Sequence, residues 1–299
     1  YQPLLPTQAN GQNTLLQSTR LKNDQISTKV DHSFSQANKL SVRYFRNGDG
    51  SREKTPVELL PVIRAGADVP VQSILISDTH SFSPVTLVEF RASYTRVPSV
   101  LLDSRVKQKS AKELGGNFNQ PTAVSPQVSI SSRAGVSPGT ISREIDNQWQ
   151  VEAKLSRVTG RHALKFGGAA WYARQLTATK WRANGIFTFD GLFTGNSMAD
   201  YFLGKASTLL IACDYYAGFR GADYAGYAQD DFTVNRRLTL NYGVRYQLHV
   251  PFRIDHGYMA NFIPNRQSTL IPSAPPGMVY VGDEGVPNGI YKLNKTHFE

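Results

Sequence analysis

The sequence predicts an all-β fold: an antiparallel transmembrane β-barrel with long extracellular loops, of which this chain supplies roughly nine or ten strands of a larger barrel. Three observations predict it. Apolar and polar residues alternate at period two through stretches near ten residues long, about the ~9–11 that a tilted membrane strand needs. Short polar turns alternate with long loops, as in barrels whose turns are periplasmic and whose loops face outward. Aromatic residues make up 11% and glycines number 24, a mixture that suits strands and turns better than helices.

The first strand is expected over residues 24–34, with Ile26, Thr28, Val30 and Phe34 on one face and Ser27, Lys29 and Asp31 on the other. After a turn at 35–38, Leu40, Val42 and Tyr44 alternate with Ser41 and Arg43. Residues 47–70 then read as a loop. A mixed strand over 71–82 turns at Ser83 and Pro84 into one where Val88, Phe90, Ala92 and Tyr94 alternate with Glu89, Arg91, Ser93 and Thr95. The second long loop is 98–143, and its stretch 125–138, rich in Ser, Gly and Pro, reads as exposed and mobile.

Trp149, Val151, Ala153 and Leu155 next alternate with Gln150, Glu152, Lys154 and Ser156. The turn Thr159-Gly160-Arg161 leads into a strand over 162–172, where Trp171 interrupts the polar face. The third loop, 173–221, holds a short strand at Ile186–Phe189 and a possible short helix over 196–203, with Met198, Tyr201 and Phe202 on one side. Residues 224–234 form a mixed strand that turns at Asn235 and Arg236. The last strand is the most regular: Leu238, Leu240, Tyr242, Val244, Tyr246 and Leu248 alternate with Thr239, Asn241, Arg245, Gln247 and His249.

Composition narrows the function classes. No stretch of the 299 residues approaches the ~18–20 consecutive apolar residues of a membrane-spanning helix. Net charge is +10, from 33 basic and 23 acidic residues, but the basic residues are spread along the chain without a block. That is a solvated surface rather than a nucleic-acid patch, so no nucleic-acid partner is expected. The lone Cys213 can form no internal disulfide. The chain opens at Tyr1 without Met and ends at Glu299. We expect residues 1–299 to be an internal piece of one barrel domain, lacking a plug and the closing C-terminal strands, and unable alone to close a working transporter.

No catalytic, cofactor-binding or metal site stands out. His32, His80, His162, His249, His256 and His297 do not pair at metal-ligand spacing. Asn47-Gly48-Asp49-Gly50-Ser51 followed by Glu53 has a faint likeness to a calcium loop, but reads better as a hairpin tip using Asn, Gly and Asp. There is no G-x-S-x-G, no H-E-x-x-H and no phosphate-cradling glycine loop, so no enzymatic role and no cofactor are expected. Lys29, Asp31, Arg43, Glu89, Arg91, Glu152, Lys154 and Arg245 should face the lumen, because a lipid-facing Arg or Lys at mid-bilayer costs ~2–4 kcal/mol. The loop aromatics Trp181, Tyr215 and Tyr216 could stack on a sugar or peptide, but such residues are equally expected near the membrane interface. The ligand-binding residues remain open.

Two runs then carry a resemblance. Tyr224-Ala225-Gly226-Tyr227-Ala228-Gln229-Asp230-Asp231-Phe232, followed by Leu238-Thr239-Leu240-Asn241-Tyr242-Gly243-Val244-Arg245-Tyr246, resembles the barrel signature of TonB-dependent receptors, most closely the Oar-like branch. Gly160-Arg161-His162-Ala163-Leu164-Lys165-Phe166-Gly167, Gly185-Ile186-Phe187-Thr188-Phe189, Thr194-Gly195-Asn196-Ser197-Met198-Ala199-Asp200-Tyr201-Phe202-Leu203-Gly204 and Val281-Gly282-Asp283-Glu284-Gly285-Val286-Pro287 also fit. So do Asp31-His32-Ser33-Phe34-Ser35 and Leu40-Ser41-Val42-Arg43-Tyr44. The matches run from about Asp24 onward, and their order adds to their weight.

The resemblance implies a barrel of 22 strands around a plug, set in outer-membrane lipid. It also implies coupling to the TonB energy-transducing complex through the plug region, and active uptake of a bulky nutrient such as a carbohydrate, a peptide or a metal chelate. A diffusion porin and a soluble secreted β-rich binding module are the alternative readings. Under the barrel reading Val42, Phe90, Val151, Leu240 and Val244 point to lipid, while Arg43, Arg91, Lys154 and Arg245 point inward. The four short turns should share one rim, and the long loops the other.

Overall fold

The computed structural model describes residues 18–54, 66–102, 126–131, 141–180, 182, 185–212, 215–255, 259–289 and 292–295. In chain order the elements are β1 (Ser18–Ser33), β2 (Asn38–Lys54), β3 (Gly66–Asp68), β4 (Val71–Ser83), β5 (Thr86–Leu102), β6 (Gln127–Ile130), β7 (Ile141–Thr159) and β8 (His162–Lys180). They continue with β9 (Ile186–Phe189), α1 (Ser197–Phe202), β10 (Thr208–Leu210), β11 (Tyr215–Asn235), β12 (Leu238–Ile254), β13 (Ala260–Phe262) and β14 (Met278–Tyr280). No helix among the described residues is long and apolar enough to cross a membrane.

Nine strands make one sheet, antiparallel throughout. Short β3 and longer β4 lie in line, both between β2 and β5, so the sheet crosses in eight passes: β1, β2, β3 with β4, β5, β7, β8, β11 and β12. Each pass pairs with its neighbour in sequence, an up-and-down meander. Such a wall satisfies its backbone N–H and C=O groups from strand to strand, as hydrocarbon demands.

Register fixes the faces, because directly opposed residues point the same way. Val30, Val42, Ile76, Ala92, Val151, Ala170, Tyr224 and Leu248 are opposed in turn across all eight passes. Phe90 and Val244 lie on the same face, at two-residue steps from Ala92 and Leu248, as does Leu240. This is the lipid face, as the alternation predicts. Arg43, Arg91, Lys154 and Arg245 sit at the intervening positions, facing the lumen.

The hairpin turns share one rim. They fall at 34–37, 84–85, 160–161 and 236–237. Three backbone bonds join neighbouring hairpins there: Ser81 N–H donates to the Ala37 carbonyl at 2.8 Å, Val158 N–H to Val85 at 2.9 Å, and Thr233 N–H to Arg161 at 2.8 Å. Gly160 has φ +58°, the left-handed conformation that a two-residue hairpin requires and that glycine adopts without a Cβ penalty.

At the other rim the strands run further than the alternation predicts. β2 continues through Asn47 to Lys54, with Gly48 opposite Asp24 and Ser51 opposite Leu21. The segment Asn47-Gly48-Asp49-Gly50-Ser51 is therefore paired strand, neither hairpin tip nor cation loop. β5 extends to Leu102, β7 starts at Ile141, β8 reaches Lys180 and β11 starts at Tyr215. The physical reason is that ladder hydrogen bonds persist beyond the bilayer, where both faces meet water and period-two hydropathy is no longer enforced. The expected nine or ten barrel strands become eight passes, since Ile186–Phe189 belongs elsewhere.

That elsewhere is a second sheet built from loops. β9 pairs antiparallel with β10 and parallel with β6, joining the second loop to the third. Val128, Ile130 and Phe189 are buried together, with Phe187, Met198, Tyr201 and Ala206 packed against them. Gln127–Ile130 is thus an ordered strand, correcting the expectation that 125–138 is exposed and mobile; residues 125 and 132–138 lie outside the described set. α1 confirms the expected short helix, with Met198 and Tyr201 turned to this core but Phe202 exposed.

The two faces predict opposite responses to charge. Ala153 lies on the lipid face, opposed to Phe90 and Gly168, and Ala153→Arg should destabilise the folded barrel by ~2–4 kcal/mol. Gln150→Arg, on the lumen face, should cost less than ~0.5 kcal/mol. Denaturant midpoints of the intact protein in lipid vesicles, read by heat-modifiable gel mobility, check this; equal losses would show that the faces are assigned wrongly.

Candidate functional site

The lumen face gathers the charged strand residues that alternation singles out into three adjacent rows. Lys29, Arg43, Leu75, Ser93, Gln150, Trp171, Asp223 and His249 form the row nearest the loops. Asp31, Ser41, Ser77, Arg91 and Glu152 begin the second, and Lys39, Thr79, Glu89, Lys154, Gly167, Tyr227 and Arg245 make up most of the third. All eight residues predicted to line the lumen occur in these rows.

Their electrostatics are locally balanced. Lys29 and Arg43 are directly opposed, a like-charge pair that would destabilise the ladder. Lys29 Nζ instead turns to Asp31 at 2.9 Å, and Arg43 Nε donates to Ser27 Oγ at 3.3 Å. Glu152 takes Arg91 and Lys154, each at 3.4 Å. Such exposed pairs contribute ~0–1 kcal/mol each, so the network sets side-chain positions more than stability. Lys29, Ser41, Arg43, Leu75, Ser77, Arg91, Ser93, Gln150 and Glu152 line a shallow depression of about 420 Å³. This polar surface can hold a protein segment or solvated cargo through charge and hydroxyl contacts. Among the described residues no group of three His, Cys, Asp or Glu is placed to hold a metal.

Several lumen partners escaped the sequence reading. Lys165 pairs with Asp231 at 3.2 Å, and His249 Nδ1 lies 3.0 Å from Asp223. Gly167 leaves space for the Tyr227 ring, which a Cβ there would strike. The signal was Asp230-Asp231 in the signature run, two carboxylates that alternation sends to opposite faces. Asp231 faces the lumen, while Asp230 is buried on the outer face with His162 Nδ1 at 2.6 Å and the Tyr242 hydroxyl donating to it at 2.7 Å.

Of the other candidates, Tyr216 is exposed at the loop end of β11, a position consistent with contact but not joined to the lumen rows. Trp181, Cys213, His256 and His297, and the side chain of Tyr215, lie outside the described residues.

Two buried carboxylates order the outer segments. Asp200 in α1 accepts from Thr194 Oγ1 at 2.7 Å and Phe193 N–H at 3.1 Å. Burial, the largest influence, pushes its carboxyl up, yet these donors and the backbone at Thr194 and Gly191 together hold it below its usual range. Asn196 caps α1 by accepting from Met198 N–H at 2.9 Å and Ala199 N–H at 3.2 Å. Ser197 Oγ donates to the Ser131 carbonyl at 2.8 Å, tying α1 to β6.

After β12, Asp283 accepts five hydrogen bonds: from Ser268 Oγ, Thr269 N–H, Thr269 Oγ1 and Tyr280 N–H at 2.8 Å each, and from Leu270 N–H at 3.3 Å. The Tyr280 amide above all, opposed by burial and aided by Ser268 and Thr269, holds its carboxyl far below the usual range.

The profile of the outer membrane beta barrel domain family matches residues 1–299. No curated protein matches the sequence. Among solved structures, the outer membrane transporter YddB from Escherichia coli is similar at 10% identity and TM-score 0.45, covering 79% of this chain and 29% of that one. FpvA of P. aeruginosa, in a complex with a heterologous pyoverdine and iron, is similar at 10% identity and TM-score 0.46, covering 79% of this chain and 31% of that one. This chain thus spans about three-tenths of either structure.

Asp283 generates an acid test. Its folded pKa is depressed, so its contribution is complete above the unfolded value of ~3.9 and is lost as pH falls from there through the folded value. Amide protection factors at Thr269, Leu270 and Tyr280, the intrinsic exchange rate over the observed one, should fall below about pH 4, and Asp283→Asn should lower them at pH 7 and flatten that acid response. Unchanged exchange in the variant at pH 7 would remove Asp283 from this role.

Proposed function

The chain belongs to the outer membrane beta barrel domain family and so resides in the outer membrane; from this premise we propose that residues 1–299 form one sector of the wall and outer loops of a TonB-dependent receptor. Such a receptor would import a bulky nutrient, whether a carbohydrate, a peptide or a metal chelate. The observation that carries the reading is the open sheet. Among the described strands β1 and β12 are its two edges. In hydrocarbon, each unpaired N–H or C=O along such an edge costs several kcal/mol. Further strands of the same wall remove that cost, so eight passes read as a sector of a larger barrel. The signature run at 224–232 and 238–246 supports the receptor class.

In this reading the lumen rows around Arg43, Arg91, Glu152 and Lys154 face a plug. The plug region carries the coupling to TonB, and the outer loops meet the nutrient. The lumen chemistry is paired charges and hydroxyls, and we assign it no catalytic role. A diffusion porin would share the wall but not the energy requirement.

Uptake separates the two. In cells carrying the complete gene, accumulation of the growth-limiting nutrient should be abolished by deleting TonB or collapsing the proton gradient. Accumulation that persists undiminished in both conditions would replace the receptor with a porin.

A further inference from the structure

One row on the lipid face, on the loop side of the apolar band, is dominated by arginine. Arg46, Gln72, Arg96, Asn147, Arg174, Arg220 and Arg253 are directly opposed in turn across seven passes. The irregularity between Arg220 and Ala222 brings Arg253 onto this face. One row nearer the turns lie Tyr44, Ile74, Tyr94, Trp149 and Tyr172. Tyr94 and Trp149 have ring centroids 5.2 Å apart, Trp149 and Tyr172 5.5 Å. This is an aromatic girdle on the loop side of the apolar band.

The arginines therefore stand just beyond the hydrocarbon. Arg96 is 11 residues past Val85 (96 − 85) and Arg174 is 13 past Arg161 (174 − 161). At ~3.3 Å per residue and a tilt of ~40° they lie ~28–33 Å above the turns, past the ~25 Å apolar band. Their charge is incompletely balanced. Asp255 takes Arg220 at 2.6 Å and reaches Arg174 at 3.8 Å. Asp24 lies one step along β1 on the same face, so among the described residues within one step of the row five arginines stand against two carboxylates. Among the described residues no carboxylate lies within ion-pair distance of Arg46, Arg96 or Arg253. Arg96 is aimed by Asn147, whose buried Oδ1 accepts from its Nη1 at 2.9 Å and from the Tyr94 hydroxyl at 2.8 Å. Arg174 Nε is buried with no hydrogen-bond partner.

We propose that this row is a binding site for the phosphate groups of an anionic lipid in the outer leaflet, with acyl chains packed on the girdle and apolar rows below. Three features point to a lipid rather than a soluble anion. The row faces away from the lumen, it is continuous with a lipid-contacting surface, and its guanidiniums lie at headgroup depth. Guanidinium forks match phosphate oxygens in bidentate fashion. With adjacent strands ~4.8 Å apart, the row offers contacts to more than one phosphate.

The test uses the intact protein in phosphatidylcholine nanodiscs doped with either diphosphorylated lipid A or its dephosphorylated form, and reads co-purified lipid by native mass spectrometry. Wild type should retain the phosphorylated lipid about tenfold better, the scale of one charge-assisted hydrogen bond. The triple variant Arg46→Gln, Arg96→Gln, Arg253→Gln should lose that preference. Arg157→Gln, on the same face at the turn rim, should keep it. Equal retention of the two lipids by wild type overturns the proposal without any variant. So does a heat-modifiable triple variant that still discriminates, or displacement of the lipid by millimolar inorganic phosphate.

Discussion

The structure depends on one constraint: in hydrocarbon, a backbone N–H or C=O without a partner costs several kcal/mol. The eight passes answer it by pairing every neighbour antiparallel along ladders of up to nineteen rungs, as between β7 and β8. Once the backbone is committed to that ladder, side chains have two directions available. Lipid takes the rows through Val42, Val151 and Val244, and the lumen takes Arg43, Glu152 and Arg245. Neither a conventional core nor deep burial is needed in the wall, and the buried apolar cluster of Val128, Ile130 and Phe189 lies instead in the loop sheet.

That loop sheet shows how outer segments become ordered when the bilayer no longer supports them. β6 and β9 come from different loops yet pair in parallel, an arrangement that requires distant chain segments to meet. Side chains supply what the short strands cannot. Asp200 gathers the backbone ahead of α1, Asn196 caps the helix, and Ser197 bonds to the end of β6. Asp283 plays the same part in the segment after β12, where its carboxylate replaces regular secondary structure as the common partner of several donors. In both places a carboxylate saturated by hydrogen bonds offsets its own burial.

Charge is treated differently at each depth. In the lumen rows oppositely charged side chains meet within a strand, as Lys29 with Asp31, and across strands, as Arg91 with Glu152. On the outer face two polar groups flank the apolar band, while Asp78, opposed to Leu40 and Phe90, lies within it. Asp230 with His162 and Tyr242 lies toward the turns, and the arginine row lies toward the loops. The barrel thereby presents a mostly apolar girdle between two polar edges, the shape that holds a wall at fixed depth in a bilayer.

Period-two alternation by itself determined the strand faces, because opposed residues in a ladder share a direction and lipid rejects the charged ones. Turn chemistry at Gly160 and at Ser83-Pro84 determined the hairpins and the rim they share. The signature run from Tyr224 to Phe232 pointed to the kind of wall that the family match shows, an outer-membrane β-barrel. Three things needed the tertiary structure. Strand lengths did, since ladders run on past the membrane where hydropathy no longer alternates. The joining of β6 to β9 did, since no local pattern links residues some sixty positions apart (186 − 127). The arginine row did as well: Arg46, Arg96, Arg174, Arg220 and Arg253 are scattered in the sequence, and register alone sets them side by side.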